Sequence, residues 1–415
     1  MIKTINHSII KGTIAAPASK SMMQRAIAIA TLAKGKSTLY NYTPCNDSDT
    51  ALKISKSLGA TVSIKKTTVT IDGGMNPQVD EFSCGEAGLG IRMFTPIASL
   101  WNKSITLHGE GSLKKRPISM LEKPMTQLGV DITTNNGFVP ITVHGPLLGK
   151  HADVDGSISS QMLTGMLIAL PLAVNDTILN VKDLTSKPYI DMTLDIIKDF
   201  GITILHDNYK TFTIHGNQNY KAREYNVEGD WSGASFLLVA GALGGEVIVS
   251  NIRSNSLQAD LKILEAIKSA GAIVECHETT ILVKGKSLDA FEFDATECPD
   301  LFPPLVALAC HCKGISTFKG VCRLKHKESD RATVLKTEFA KIGTKIEIDG
   351  DTMFVYGKTV TGGKIHANND HRIAMAAAVT GILTKKPIEI ENAECIAKSY
   401  PGFYDDFAKI GGIIS

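Results

Sequence analysis

The sequence predicts an α/β protein made of two pseudo-threefold globular halves, each built from three βαβαββ-type units with a buried helix. Three observations lead there. A helical pattern closed by a glycine and followed by two short β-prone runs recurs along the chain, as in ALKISKSLGATVSIKKTTVTIDG and DLKILEAIKSAGAIVECHETTILVKG. The closing glycines Gly59, Gly129, Gly201, Gly271, Gly343 and Gly411 stand 68 to 72 residues apart, a spacing that marks a repeat architecture. Finally, 415 residues exceed what one hydrophobic core usually supports.

In chain order, residues 2–6 and 8–14 are β-prone and precede a helix that is apolar nearly all round. Such helices are expected at Met22–Lys34, Arg92–Asn102, Gln161–Val174, Ser232–Leu243, Leu301–Cys312 and Arg372–Leu383. A helix apolar on every face belongs inside a domain. The amphipathic helix of each unit ends at its glycine, which suits the left-handed residue after a helix C-terminus. The sixth unit, DDFAKIGGIIS, lacks its hairpin, so the amino-terminal segment is expected to complete it. The halves are then 16–228, and 229–415 plus 1–15. Polar Gly216 to Glu228 reads as the approach to the second crossing between them.

A net charge of +2 gives no reason to expect a nucleic-acid or membrane partner. The apolar run Met162 to Val174 is too short for a span and contains Pro171. Residues 1–7 show no signal-peptide core and the eight cysteines no framework spacing, so a cytoplasmic protein with reduced thiols is expected. Cys310-His311-Cys312 has no second ligand cluster, and no metal is expected.

The openings of the buried helices carry the chemistry. Asp, Ser and Asn there are ordinary caps. Lys20, Arg25, Arg92 and Arg372 are not, because cations oppose the helix dipole at that end. Further cations stand on loops, at Lys114-Lys115-Arg116, Lys187, Arg323 to Arg331, and Lys398. If pseudo-symmetry aims these groups at a shared cleft, they suit substrates carrying several phosphate and carboxylate groups. Asp300 and Glu328 are carboxylates inside that field. They fit an N-cap and a salt-bridge partner as well as they fit proton carriers. His371 fits a structural histidine better than a proton carrier.

The motifs SKSMMQRA, GEAGLGIRMF, KKRPISMLEKPMTQLG, DGSISSQMLTGML, SKPYIDMTLDIIKDFG, VEGDWSGASF, HKESDRATVL, NNDHRIAMA and KSYPGFYDDF, in this order, resemble the EPSP synthase family of enolpyruvyl transferases. The resemblance covers essentially the whole chain. It implies the inside-out α/β barrel fold and transfer of the enolpyruvyl group of phosphoenolpyruvate to the 5-hydroxyl of shikimate 3-phosphate. The reaction runs by addition and elimination in the shikimate pathway to chorismate and the aromatic amino acids. It further implies that no cofactor is needed, and a monomer is expected. By motif match, shikimate 3-phosphate meets Lys20, Ser21, Arg25, Ser159, Ser160, Gln161, Ser186, Tyr189, Asp300 and Lys327. Phosphoenolpyruvate meets Lys20, Gly88, Arg92, Arg116, Gln161, Arg331, Arg372 and Lys398. Asp300, Glu328 and Lys20 are the implied catalytic residues.

Two positions depart from the family pattern. Glu86 and Leu89 stand where Asn and Thr are usual, and Glu86 is expected either to weaken anion binding or to turn outward into a salt bridge. Two alternatives compete. A UDP-N-acetylglucosamine enolpyruvyl transferase would carry a Lys-Asn pair and a loop cysteine, where this chain has Lys20-Ser21 and Arg25. A catalytically inactive binding homologue would not be expected to retain Lys20, Asp300, Glu328, Arg331 and Arg372 together.

Overall fold

The computed structural model describes every residue of the chain except Met75 and Thr359. Two compact units emerge, Lys20–Val227 and a second made of Met1–Ser19 with Glu228–Ser415. The first boundary lies later than residue 16 because residues 16–19 are tied to the second unit. Ala16 N–H donates to the Ser250 carbonyl, Ser19 N–H donates to the Glu228 carbonyl, and Ala18 bridges Gly229.

Each unit holds three four-stranded sheets among the described residues. In every sheet the first strand runs parallel to the second, and the third and fourth are antiparallel additions. Parallel neighbours need a crossover. In four of the sheets the buried helix of the same repeat supplies it, whereas in the sheets opened by Ile10–Ala15 and by Glu224–Asn226 the chain leaves for the other unit after the opening strand. The amino-terminal strands serve two sheets. β1 (Ile2–Asn6) lies between Ile388–Glu391 and Ile413–Ile414 and completes the sixth repeat. β2 (Ile10–Ala15) pairs in parallel with Gly245–Ser250 and opens the fourth. Residues 216–228 are likewise more than a linker. Their strand Glu224–Asn226 pairs in parallel with Gly35–Tyr40 and opens the first repeat's sheet. The chain therefore changes unit at equivalent points, after the opening strand and before the buried helix.

The buried helices are α1 (Lys20–Leu32), α3 (Gly88–Ala98), α5 (Gln161–Ala169), α7 (Trp231–Gly244), α9 (Phe302–Ala309) and α11 (His371–Thr380). Their amphipathic partners are α2 (Asn46–Ser57), α4 (Glu122–Gln127), α6 (Lys187–Asp199), α8 (Ile263–Ser269), α10 (Arg331–Lys341) and α12 (Phe403–Lys409). The six closing glycines all have φ between +85° and +103°, where a Cβ would be strained. Several bounds differ from the sequence expectation. α3 starts one turn earlier, at Gly88, and α5 tightens into a 3-10 turn at Leu170–Leu172 because Pro171 cannot continue the helix. α3 and α5 approach closely, since a Cβ on Gly165 would sit 2.7 Å from the Arg92 carbonyl oxygen.

No helix among the described residues is long and apolar enough to cross a membrane, and none of the eight cysteines is in a disulfide. The Cys310 and Cys312 thiols are pushed up to about 12 by burial, which disfavours the thiolate a metal would need. Between them, His311 Nε2 faces the Thr380 carbonyl at 3.0 Å. Burial pushes the imidazole down to about 4, against that hydrogen bond. A histidine with a depressed pKa contributes stability above its unfolded value of about 6.5, and loses it as pH falls toward 4. Unfolding free energy is therefore expected to drop by roughly 3 kcal/mol across that window. Denaturant titrations at successive pH values check it, and His311→Gln should flatten the slope. An equal slope in the variant would contradict this account.

Candidate active site

In the unit Lys20–Val227 the implied ligands form two clusters joined through α5. Arg25, one turn into α1, is buried and lies between α5 and α6. Its Nε donates to Thr193 Oγ1 at 2.8 Å and its Nη2 to Thr164 Oγ1 at 3.3 Å. The carbonyls of Ser21 and Tyr189 accept further bonds at 2.8 and 3.5 Å. Burial pushes the guanidinium down to about 10, with Tyr189 opposing. No carboxylate pairs with it among the described residues. A buried cation solvated only by hydroxyls and carbonyls is an anion site in waiting.

The second cluster is built on Arg92. Its Nη1 donates to Gln161 Oε1 at 2.9 Å and its Nη2 to the Pro117 carbonyl at 2.9 Å. Gln161 is the first residue of α5, one turn before Thr164, so the two clusters share that helix face. Arg116 packs its guanidinium flat against Gly88, where a Cβ would lie 2.5 Å from both Nη atoms. Ser159 Oγ accepts the Gln161 N–H at 3.2 Å, and Ser160 stands at the α5 N-cap. Ser186 caps α6 with φ +57°, a left-handed serine of the kind found at strained functional turns. Lys20 Nζ pairs with Asp47 Oδ2 at 2.9 Å.

The second unit holds the carboxylates. Arg331, fully buried, is the hub. Its Nη1 donates to Asp300 Oδ1 at 2.9 Å, its Nη2 to Glu328 Oε2 at 2.7 Å, and its Nε to Asp370 Oδ2 at 3.0 Å. Asp300 also pairs with Lys327 at 3.1 Å and with Arg372 Nη2 at 3.1 Å. Burial pushes the Asp300 carboxyl up, but Arg372, then Lys327 and Arg331, outweigh it and hold it well below the usual carboxylate range. Burial lowers the Lys327 ammonium. For Arg331, burial is outweighed by Asp370, Glu328 and Asp300, which raise it further. Lys398 Nζ donates to the Asn369 carbonyl at 2.7 Å, beside the Asp370 cap of α11.

Within each unit, then, some of the implied residues meet, Arg92 with Gln161 and three cations with Asp300, and the cations face protein groups. Lys20 faces Asp47, and Lys327, Arg331 and Arg372 face Asp300. The Glu86 carboxylate Oε2 accepts the Ser112 amide N–H at 2.9 Å. Sequence reasoning missed the residues that hold the ligands in place. Asp370 reads in the sequence as an ordinary helix-opening aspartate, but it also grips Arg331; Thr164 and Thr193 solvate Arg25. Asp260 was likewise unmarked. It is buried, accepts a hydrogen bond from Ser232 Oγ, and is pushed up to about 7 by burial and then by Asp300.

Comparison with known proteins bears on this arrangement. The family described as EPSP synthase (3-phosphoshikimate 1-carboxyvinyltransferase) matches residues 5–407. A 3-phosphoshikimate 1-carboxyvinyltransferase of Clostridium perfringens is 36% identical over 416 residues, covering 99% of this chain and 98% of that protein. One from Clostridioides difficile is 33% identical, with 98% and 96% covered. The solved EPSP synthase of Acinetobacter baumannii superposes with a TM-score of 0.86 at 25% identity, covering 100% of this chain and 99% of that one. The enolpyruvyl transferase NikO of Streptomyces tendae, at 16% identity and TM-score 0.80 with 100% and 98% covered, shares the fold. The fold is thus the two-domain inside-out α/β type, and UDP-N-acetylglucosamine transfer is not favoured. With full-length relatives of one name and a match across nearly every repeat, the chain belongs to the EPSP synthase (3-phosphoshikimate 1-carboxyvinyltransferase) family.

Proposed function

We propose that this chain transfers the enolpyruvyl group of phosphoenolpyruvate to the 5-hydroxyl of shikimate 3-phosphate, releasing phosphate, with its two carboxylates as proton carriers. The observation that carries the reading is the Arg331 guanidinium bridging Asp300 and Glu328. One cation thereby fixes two carboxylates side by side. Asp300 accepts the 5-hydroxyl proton as the hydroxyl oxygen attacks C2 of phosphoenolpyruvate, and Glu328, which takes up a proton once the substrate anions occupy Arg331, delivers it to the methylene carbon. The tetrahedral adduct then returns a methyl proton to the Glu328 carboxylate as the C2–O bond to phosphate breaks, and the departing phosphate takes the proton held by Asp300. Lys20 touches both substrates.

Shikimate 3-phosphate is held by Lys20, Ser21, Arg25, Ser159, Ser160, Gln161, Ser186, Tyr189, Asp300 and Lys327. Phosphoenolpyruvate is held by Lys20, Gly88, Arg92, Arg116, Gln161, Arg331, Arg372 and Lys398. Guanidinium forks suit both its phosphate and its carboxylate. These anions would take over cation pairings now made by Asp47 and Asp300. Phosphate release measured with each acceptor tests the reading. Release should require shikimate 3-phosphate, and release only with a UDP-sugar would overturn it.

Two further expectations attach to this function. Gly88→Ala should push Arg116 aside and raise KM for phosphoenolpyruvate about tenfold, the scale of one charge-assisted hydrogen bond. An unchanged KM would count against Arg116 as a donor ligand. The enzyme is expected to act as a cytoplasmic monomer, in keeping with a biosynthetic family. Light scattering should then report the single-chain mass of 44.6 kDa, and a multiple of it would contradict this.

A further inference from the structure

Glu86 stands two residues before Gly88, yet its carboxylate serves the backbone that carries Arg116. Glu86 Oε2 accepts the Ser112 amide N–H at 2.9 Å. That amide lies in the first turn of the 3-10 segment Gly111–Lys115, whose opening donors have no partner inside the turn. The same stretch is fastened at two more points. Glu110 N–H donates to the Gly85 carbonyl at 2.7 Å, and Arg92 Nη2 holds the Pro117 carbonyl at 2.9 Å. Between these fastenings the turn closes through Arg116 N–H to the Leu113 carbonyl at 3.1 Å. The Arg116 guanidinium is delivered onto Gly88.

We propose that Glu86 is a positioning residue for Arg116, capping the turn that aims its guanidinium at phosphoenolpyruvate. The inference rests on the reading of Arg116 as a ligand of that substrate. It reverses the sign expected of a carboxylate near an anion site. As a competing counter-charge, Glu86 would weaken donor binding. As a cap, it strengthens donor binding by keeping a flexible guanidinium in one place. The substitution pair Glu86→Gln and Glu86→Ala separates these roles, because glutamine keeps an acceptor for Ser112 N–H while discarding the charge.

Steady-state phosphate release by full-length wild type, Glu86→Ala, Glu86→Gln and Arg116→Ala gives the test. Glu86→Ala should raise KM for phosphoenolpyruvate about tenfold, within the range of a lost cap. Its kcat and its KM for shikimate 3-phosphate should stay within about twofold. Glu86→Gln should restore donor KM to within about threefold of wild type. Should Glu86→Ala fail to fold, Glu86→Asp, one methylene short of the amide, should give the same split. An unchanged or lowered donor KM in Glu86→Ala, or no rescue by glutamine, would overturn the proposal. So would a parallel change in all three constants. If Arg116→Ala leaves donor KM unchanged, the Arg116 assignment itself falls and takes this inference with it.

Discussion

Asp300→Asn is expected to lower kcat by roughly 100-fold or more, the contribution of a positioned acid–base group. Asparagine keeps the shape and one acceptor oxygen, so the loss isolates the negative charge. Three cations now converge on that charge, from Arg372, Lys327 and Arg331. They hold Asp300 deprotonated across the physiological range, the state its proposed role as base for the 5-hydroxyl proton needs. They also make it an intrinsically weak base. Under the proposed mechanism, bound substrate anions draw those cations away and so raise the carboxylate's proton affinity at the moment of attack. Glu328→Gln should show a loss of similar size in kcat, since its partner Arg331 is shared. Turnover unchanged in both variants, measured under saturating substrates, would remove these carboxylates from the proton-transfer steps.

The second large effect concerns stability. Arg331→Met should destabilise its unit by about 3–5 kcal/mol, the usual result of removing one partner of a buried ion network. The guanidinium is fully buried and answers three carboxylates. A methionine would leave Asp370 buried without its cation, and Asp300 and Glu328 repelling one another. Adding Asp370→Asn should recover part of the loss, since it removes the worst uncompensated charge. Asp300 has a depressed carboxyl, so the stability it contributes is present above the ordinary value near 3.8. That contribution is lost as pH falls through the lowered one. The variant should therefore lose less stability than wild type on acidification below about pH 4. Urea transitions at neutral and acidic pH check both statements. Equal midpoints for variant and wild type would contradict the hub role.

Much of the fold could be read from the chain because its signals are local. A glycine after each amphipathic helix needs a left-handed backbone, and an all-apolar helix has nowhere to go but inside. The pairing partner of a short strand is not a local property. Glu224–Asn226 is three residues long and polar at both ends, so nothing in its own sequence links it to Gly35–Tyr40. Site residues divided in the same way. Lys20, Arg92 and Arg372 betrayed themselves by opposing the helix dipole. Asp370 did not, because capping α11 fully explains an aspartate at that place, and its grip on Arg331 spans 39 residues of sequence. Thr164 and Thr193 looked like helix-interior hydroxyls until folding aligned both with Arg25. Glu86 carried the opposite hazard. Its charge stood out, but only the backbone of residues 110–117 discloses what it holds.

Nuclear magnetic resonance of the full chain with shikimate 3-phosphate and phosphoenolpyruvate in deuterium oxide tests the enolpyruvyl transfer most directly. The account predicts inorganic phosphate together with a new vinyl ether whose methylene carries deuterium, since protonation and loss of a proton at that carbon bracket the adduct. Unaltered shikimate 3-phosphate, or a vinyl ether free of deuterium, would contradict it.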